Sequence, residues 1–159
     1  MKNLLFFSNN IHKLKEIKKL TRNKGINVLS LNDFETLKEP LENGDTFAKN
    51  AKIKSDYGFS KTNIPCFADD SGICINALQG KPGVLSKRYL AKFKNNKECL
   101  LNLIKLVKKN NVREAHFKTS VSLTIKKNIS VCFEGRINGK ISDNIYGSKG
   151  FGYDPIFIP

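Results

Sequence analysis

The first third of the chain alternates segments that predict strands with a segment of helical spacing. Residues 4–7 form an unbroken apolar run, which is typical of a short buried strand. Apolar side chains then recur three and four positions apart across residues 11–23, and Gly25 is a typical residue at the end of a helix. Residues 26–31 predict a second strand. Strand, helix and strand in this order indicate the start of a parallel α/β sheet.

The middle of the chain predicts a second helix and a third strand. The helix covers residues 46–60, with Asp45 or Thr46 as its N-terminal cap. The strand covers residues 65–68 and is expected to end at residues 69–72, because their sequence Asp-Asp-Ser-Gly is typical of a turn.

The last third predicts a helix and a long hairpin. Residues 98–109 place apolar side chains on one face of a helix. Apolar and polar residues alternate across 117–125 and 129–133, which predicts an antiparallel hairpin with one face in water. A glycine-rich loop covers residues 147–152. No repeat or linker interrupts residues 1–159, so we expect a single mixed α/β domain.

The composition of the chain is strongly basic. The net charge of +14 predicts attraction to polyanions, which include nucleic acids, anionic membrane surfaces and nucleotides. Nearly all of that charge comes from lysines spread along the chain. A general bias in composition is therefore the alternative explanation.

The cysteines and the apolar runs narrow the class of protein further. The four cysteines lie far apart without a Cys-x-x-Cys pair, which disfavours a zinc site and favours free thiols in the cytoplasm. No apolar run approaches the roughly 20 residues of a membrane helix, so we expect no membrane partner.

Two segments have the residue types of a phosphate site. Ser8 and Asn10 precede the first predicted helix, and Lys13 lies one turn into it. Backbone N–H groups at a helix N-terminus attract anions, although an ordinary helix cap has the same sequence. Lys54 lies two turns after Thr46 on the same face of the second predicted helix, where a solvated helix is the alternative interpretation.

Two adjacent carboxylates follow the third predicted strand. Asp69 and Asp70 are unusual neighbours in so cationic a chain. Ligands of open α/β sheets collect at the carboxyl ends of strands, and Mg²⁺ binds through one or two carboxylates plus substrate phosphates. A turn capped by its own aspartates is the alternative.

These segments belong to five motifs that resemble, in order and spacing, the successive motifs of the inosine-triphosphate pyrophosphatase family. The resemblance covers essentially the whole chain. The motifs are Ser8-x-Asn10-x-x-Lys13, Glu42-x-Gly44-x-Thr46-Phe47-x-x-Asn50-Ala51-x-x-Lys54, Ala68-Asp69-Asp70-Ser71-Gly72, Lys81-Pro82-Gly83-Val84-x-Ser86-x-Arg88-Tyr89 and Gly150-Phe151-Gly152-Tyr153-Asp154-Pro155-Ile156-Phe157.

The resemblance implies a fold, an activity and an assembly. The expected fold is α/β, with a mixed, strongly twisted central sheet, flanking helices and a cleft between two lobes. The expected protein is a cytoplasmic, homodimeric, Mg²⁺-dependent hydrolase. It would convert ITP, dITP and XTP to the monophosphate and pyrophosphate, and so remove deaminated purines from the nucleotide pool.

The resemblance also implies roles for particular residues. Glu42 and Asp70 are expected to hold Mg²⁺, and Asp70 or Asp69 to position or deprotonate the attacking water. Phe151 is expected to stack on the purine, with Asp154 at the edge of the base. The full set expected to bind the nucleotide is Ser8, Asn10, Lys13, Lys54, Ser71, Gly72, Phe151 and Asp154.

The same resemblance implies a further C-terminal segment. Family members continue past the position of Pro159 with a Ser-His-Arg motif, whose His and Arg read the 6-oxo group of the base. His12 and His116 lie in the wrong segments to replace it. We therefore expect a fragment of a longer protein or a truncated gene product, and for a truncated product we expect weak, unselective or no activity.

Two functions compete with this interpretation. A related pyrophosphatase acting on modified pyrimidines would have a similar fold, but its motifs would differ from the Asp-Asp-Ser-Gly and Gly-Phe-Gly-Tyr-Asp-Pro sequences. A basic nucleic-acid-binding protein would need a basic face with aromatic platforms, and no such motif is present, so we expect no specific nucleic-acid partner.

Overall fold

A six-stranded mixed sheet is the centre of the computed structural model, which describes residues 2–147 and 150–159. The sheet order is β2-β1-β3-β4-β5-β6. Strand β1 runs parallel to β2 and β3, and β6 runs antiparallel to β5. The predicted mixed α/β class is therefore confirmed. The strands are β1 (Lys2–Phe6), β2 (Ile26–Leu29), β3 (Cys66–Ile75), β4 (Glu114–Lys126), β5 (Ile129–Ile141) and β6 (Phe157–Ile158).

Four α-helices accompany the sheet in the described part of the chain. They are α1 (Ile11–Thr21), α2 (Phe47–Thr62), α3 (Ser86–Leu90) and α4 (Asn96–Asn110). Asn10 and Thr46 cap α1 and α2, since each side-chain oxygen accepts the backbone N–H three residues later. Within residues 2–147 and 150–159, no helix has the length and apolar character to cross a bilayer.

The chain divides into two compact units. The first comprises Met1–Asp70 and Ser120–Glu134, and the second Ser71–Thr119 and Gly135–Pro159. Each has its own apolar core. The core of the first contains Leu5, Phe7, Leu31, Cys66 and Ala68, and the core of the second includes Ile73, Ile75, Leu100, Leu103, Ile141 and Ile156. The single domain expected over residues 1–159 stays a prediction.

Strand β3 is continuous through the acidic sequence, so the turn expected at residues 69–72 is wrong. Its neighbour β1 pairs with it at Cys66 and Phe67, and β4 lies on its other side. This non-local pairing outweighs the turn preference of the local sequence. Successive side chains of a strand point to opposite faces. Asp69 and Asp70 therefore lie on opposite faces of β3.

The predicted hairpin is present, but its polar residues are the buried ones. Ser122 and Thr124 of β4 are each 1% exposed, whereas Ile125 is 45% exposed and Phe133 of β5 is 63% exposed. The physical reason lies in α2, where the hydroxyl of Ser55 is 2.9 Å from those of both Ser122 and Thr124. Hydroxyl groups can be buried when they bond to one another.

Candidate active site

The end of β1 and the start of α1 form an ordered polar segment. The Asn10 side chain accepts the backbone N–H of Lys13 at 3.1 Å, and the Ser8 hydroxyl accepts the backbone N–H of Asn10 at 3.2 Å. Ser8, Asn10 and Asn32 help to line a cavity of about 80 Å³. The segment thus presents polar side chains and a helix N-terminus to one cavity, and the anion site stays a prediction.

Lys13 of α1 forms an ion pair with Asp69 of β3. Because β1 and β3 are parallel, with Leu5 beside Cys66 and Phe6 beside Phe67, the segment that follows β1 lies near the part of β3 that carries Asp69. Both side chains of the pair are largely buried. The sheet therefore brings together two residues predicted from separate motifs.

Asp70 lies on the other face of β3 and contacts α2. It is 8% exposed, and its Oδ2 accepts a hydrogen bond from Nδ2 of the fully buried Asn50 at 2.9 Å. One turn further along α2, the Lys54 ammonium lies 2.7 Å from a carboxylate oxygen of Glu42. Residues from three segments of the first unit thus meet around Asp70.

The charges around Asp70 oppose one another. Burial raises the pKa of Asp70, and the Glu42 and Asp69 carboxylates raise it further, whereas the Asn50 hydrogen bond and the Lys54 charge lower it. A carboxyl group with a raised pKa is a better proton acceptor when it is ionised. Asp70 therefore combines a buried position with the properties of a general base.

The donor set near Asp70 suits a hard cation. Glu42 and Asp70 offer carboxylate oxygens, the ligand type that Mg²⁺ prefers. No cluster of three or more His, Cys, Asp and Glu side chains arranged to hold a metal occurs in the described part of the chain. Since Mg²⁺ commonly takes one or two carboxylates and completes its shell with water and phosphate oxygens, the residues present fit this ion.

Two predicted nucleotide contacts, Ser71 and Gly72, belong to the second unit and lie within β3. The Ser71 hydroxyl is 2.6 Å from the hydroxyl of Thr119. Both residues were expected to contact phosphate from a turn, and that geometry is wrong because the strand does not break there. A contact made from the strand stays a prediction.

Phe151 and Asp154 also belong to the second unit, where they form a local turn. The Asp154 carboxylate accepts the backbone N–H of Phe151 at 2.8 Å, and Phe151 itself is half-buried. Gly150 has a φ of 89°, and a Cβ there would lie 2.5 Å from Asp154 Oδ2. The turn thus needs a glycine at this position. Ser148 and Lys149 of the predicted glycine-rich loop lie outside the described residues.

Asn50 is a site residue to which the sequence assigned no role. Its position four residues before Lys54 already placed both on one helix face, which is the signal that could have identified it. Its contact with Asp70 could not be foreseen, because it depends on how α2 packs on β3.

Comparison with known proteins gives one consistent result. The profile of the Ham1 family matches residues 4–159. A dITP/XTP pyrophosphatase from Christiangramia forsetii is 42% identical over 156 residues, which cover 98% of this chain and 81% of that protein. Another from Corynebacterium glutamicum is 41% identical, covering 98% of this chain and 78% of that protein.

Solved structures agree with the sequence relatives. A HAM1 protein from Coxiella burnetii superposes with a TM-score of 0.89 at 33% identity, covering 99% of this chain and 81% of that one. A nucleoside-triphosphatase from Mycobacterium abscessus, also called a dITP/XTP pyrophosphatase, superposes with a TM-score of 0.82 at 34% identity, covering 99% and 83%. With a family profile spanning nearly every residue, close sequence relatives and a shared fold, the chain belongs to the Ham1 family.

Proposed function

We propose that this chain is a nucleoside-triphosphate pyrophosphatase that hydrolyses ITP, dITP and XTP to the monophosphate and pyrophosphate. The cluster of Glu42, Lys54, Asn50 and Asp70 carries the proposal, because it combines cationic and anionic groups in one buried site. The names of the relatives support the choice of substrate. The comparisons do not favour a nucleic-acid-binding protein or an inactive relative.

The triphosphate binds to lysines and to polar groups at strand and helix ends. Lys13 and Lys54 neutralise phosphate charge, while Ser8 and Asn10 donate hydrogen bonds from the start of α1. Ser71 and Gly72 contribute contacts from β3. Phosphoryl transfer depends mainly on such positioning and charge neutralisation, so this set supports binding and catalysis together.

Glu42 and Asp70 hold Mg²⁺ in this proposal. The ion would neutralise charge on the phosphate oxygens and orient the triphosphate. The ion pair with Lys54 keeps the Glu42 side chain in place. The buried carboxylate of Asp70 and the amide of Asn50 define the other side of the site.

A water molecule attacks the triphosphate, and the bond between the α- and β-phosphates breaks. Asp70 positions this water and accepts its proton. Asp69, held by Lys13, is the second residue proposed for this step. The leaving pyrophosphate carries the electron pair of the broken bond.

The base binds at the C-terminal turn. Phe151 stacks on the purine, and Asp154 lies at the edge of the base. The hydrogen bond from the Phe151 backbone to Asp154 supports these roles, since it fixes the two residues relative to each other.

The proposed enzyme is a homodimer in the cytoplasm. All four cysteines are free, as suits a reducing compartment. Light scattering of the purified chain tests the dimer, for which the mass is expected to be twice the 17.9 kDa of one chain. A mass of 17.9 kDa at all concentrations would contradict it.

Pyrophosphate release tests the activity. The chain is assayed with Mg²⁺ and ITP, XTP, ATP or GTP, beside Asp70→Asn. We expect turnover of ITP and XTP that is lost in the variant while its circular dichroism is unchanged. Equal turnover by Asp70→Asn would remove Asp70 from the mechanism, and no turnover of any triphosphate by the folded chain would refute the function.

A further inference from the structure

Asn50 uses both ends of its side-chain amide inside the protein. Its Nδ2 donates to Asp70 Oδ2 at 2.9 Å, and its Oδ1 accepts the backbone N–H of Gly44 at 2.8 Å. Gly44 lies two residues after Glu42, and Glu42 is bound by Lys54 of the same helix. One fully buried side chain therefore links the loop that carries Glu42 to the strand that carries Asp70.

The amide of Asn50 suits both contacts of this link. Asparagine has a donor and an acceptor and no charge, whereas a carboxylate would face Asp70 with a like charge. A hydrocarbon side chain would leave the Gly44 N–H and the Asp70 oxygen without these bonds in a buried place, which is costly.

The residue at position 44 makes room for the amide. A Cβ on Gly44 would lie 2.7 Å from Asn50 Oδ1 and 2.8 Å from Lys49 Cβ. Any side chain there would therefore displace Asn50 or move the loop. The glycine and the asparagine form a matched pair.

We propose that Asn50 is a positioning residue that fixes the Glu42 loop against Asp70, so that the two carboxylates bind a divalent cation together. The identity of these two ligands rests on the proposed function. Groups that orient metal ligands typically change metal affinity by roughly 10–100-fold when they are removed. Asn50 acts in this way without contacting the cation.

Direct metal binding tests the proposal without turnover. Mn²⁺ is titrated into the full chain in the absence of nucleotide, and free Mn²⁺ is measured by electron paramagnetic resonance. Asn50→Ala is expected to bind Mn²⁺ roughly tenfold more weakly or worse. Gly44→Ala, which keeps Asn50 but displaces it, is expected to weaken binding in the same direction.

Ser55→Ala is the matched control. Ser55 is also fully buried on α2, and its replacement by alanine removes a hydrogen bond to Ser122. It lies neither in the loop that carries Glu42 nor in the strand that carries Asp70. We expect this variant to lose stability to urea and to keep its Mn²⁺ affinity. A comparable loss of affinity in Ser55→Ala would show that general destabilisation explains the effect, and would overturn the proposal.

Other outcomes also decide the matter. Unchanged Mn²⁺ affinity in folded Asn50→Ala overturns the proposal, as does the absence of Mn²⁺ binding by the unmodified chain. If Asn50→Ala does not fold, Gly44→Ala provides the comparison. Mn²⁺ binding that depends on Asn50 in a chain without ITP turnover would refute the proposed function and leave this inference intact.

Discussion

The four cysteines of the chain occupy two kinds of environment. Cys66, Cys74 and Cys99 are buried, and Cys132 on β5 is exposed. Burial raises the pKa of Cys66 to about 12 and that of Cys99 to about 11, and it also raises the pKa of Cys74. Because the thiolate is the reactive form, the buried thiols stay protonated and inert near neutral pH.

Thiol titration checks this difference. At about pH 8, far below the raised pKa values, an aromatic disulfide reagent is expected to react quickly with one thiol per chain and with all four after unfolding. Raising the pH towards 11 increases the thiolate fraction of the buried residues, but access still requires opening of the core. Cys132→Ser should abolish the fast phase. A fast phase that survives in this variant would show that a buried cysteine is accessible.

At the scale of elements, α2 and the β4–β5 hairpin are joined by hydroxyl and charged groups. Thr124 donates to the Asp56 carboxylate at 2.6 Å as well as contacting Ser55, and the Lys52 ammonium lies 2.8 Å from the Ser130 hydroxyl. Ile125, one residue further along β4, points the other way into solvent. The polar face therefore holds the hairpin to the helix.

This orientation predicts that replacing a polar residue of β4 destabilises the protein more than replacing its apolar neighbour. Thr124→Val keeps the shape of the side chain but removes a buried donor, so it should lower the free energy of unfolding by about 1–3 kcal/mol. Ile125→Thr removes an apolar group that is already exposed and should change that free energy by about 0.5 kcal/mol or less. Urea denaturation of both variants is the measurement. A larger loss in Ile125→Thr would show that the apolar face is covered.

The pattern of the sequence predicted most of these elements, and its errors have a common cause. Strand–helix–strand at the start, the capped α2 and the hairpin follow from periodicity and local chemistry. Periodicity identifies the residues of the hairpin that share a face, but the partner decides which face is buried, and Ser55 of α2 supplies hydroxyl contacts there. The turn expected in the acidic segment is wrong for a similar reason, because the pairing of β3 with β4 is not local.

The sequence predicted which residues belong to the candidate site better than it predicted which of them contact one another. Motif resemblance identified Lys13, Lys54, Glu42 and the two aspartates as candidates. It could not assign Lys13 to Asp69, which belongs to a different motif, or Glu42 to Lys54, which share a motif but are brought together by the fold of the loop before α2. Such pairings depend on packing.

At the scale of the whole molecule, the net charge of +14 should favour encounter with an anionic triphosphate. Raising the ionic strength from about 0.01 M to about 0.15 M shortens the Debye length from about 30 Å to about 8 Å. We therefore expect the KM for ITP to rise several-fold over this range at constant Mg²⁺, with little change in kcat. Steady-state kinetics at several salt concentrations provide the measurement.

A charge-reduced variant distinguishes the contribution of the overall net charge to the salt dependence of KM from the contribution of the site. Lys15 and Lys19 are exposed on α1, and replacing both with glutamine removes two positive charges without touching a proposed ligand. The salt dependence of KM should become shallower in this double variant. If KM depends equally steeply on salt concentration in both proteins, the salt dependence arises from the site alone.

The opposite orientations of Asp69 and Asp70 restrict how this part of the gene can evolve. Each aspartate has its own partner, Lys13 for one and Asn50 for the other. Deleting or inserting a single residue between Cys66 and Asp69 would shift the register by one and turn each side chain to the other's face. The length of strand β3 before the aspartates is therefore fixed. Length variation should be tolerated instead at the exposed Lys127–Asn128 turn of the hairpin.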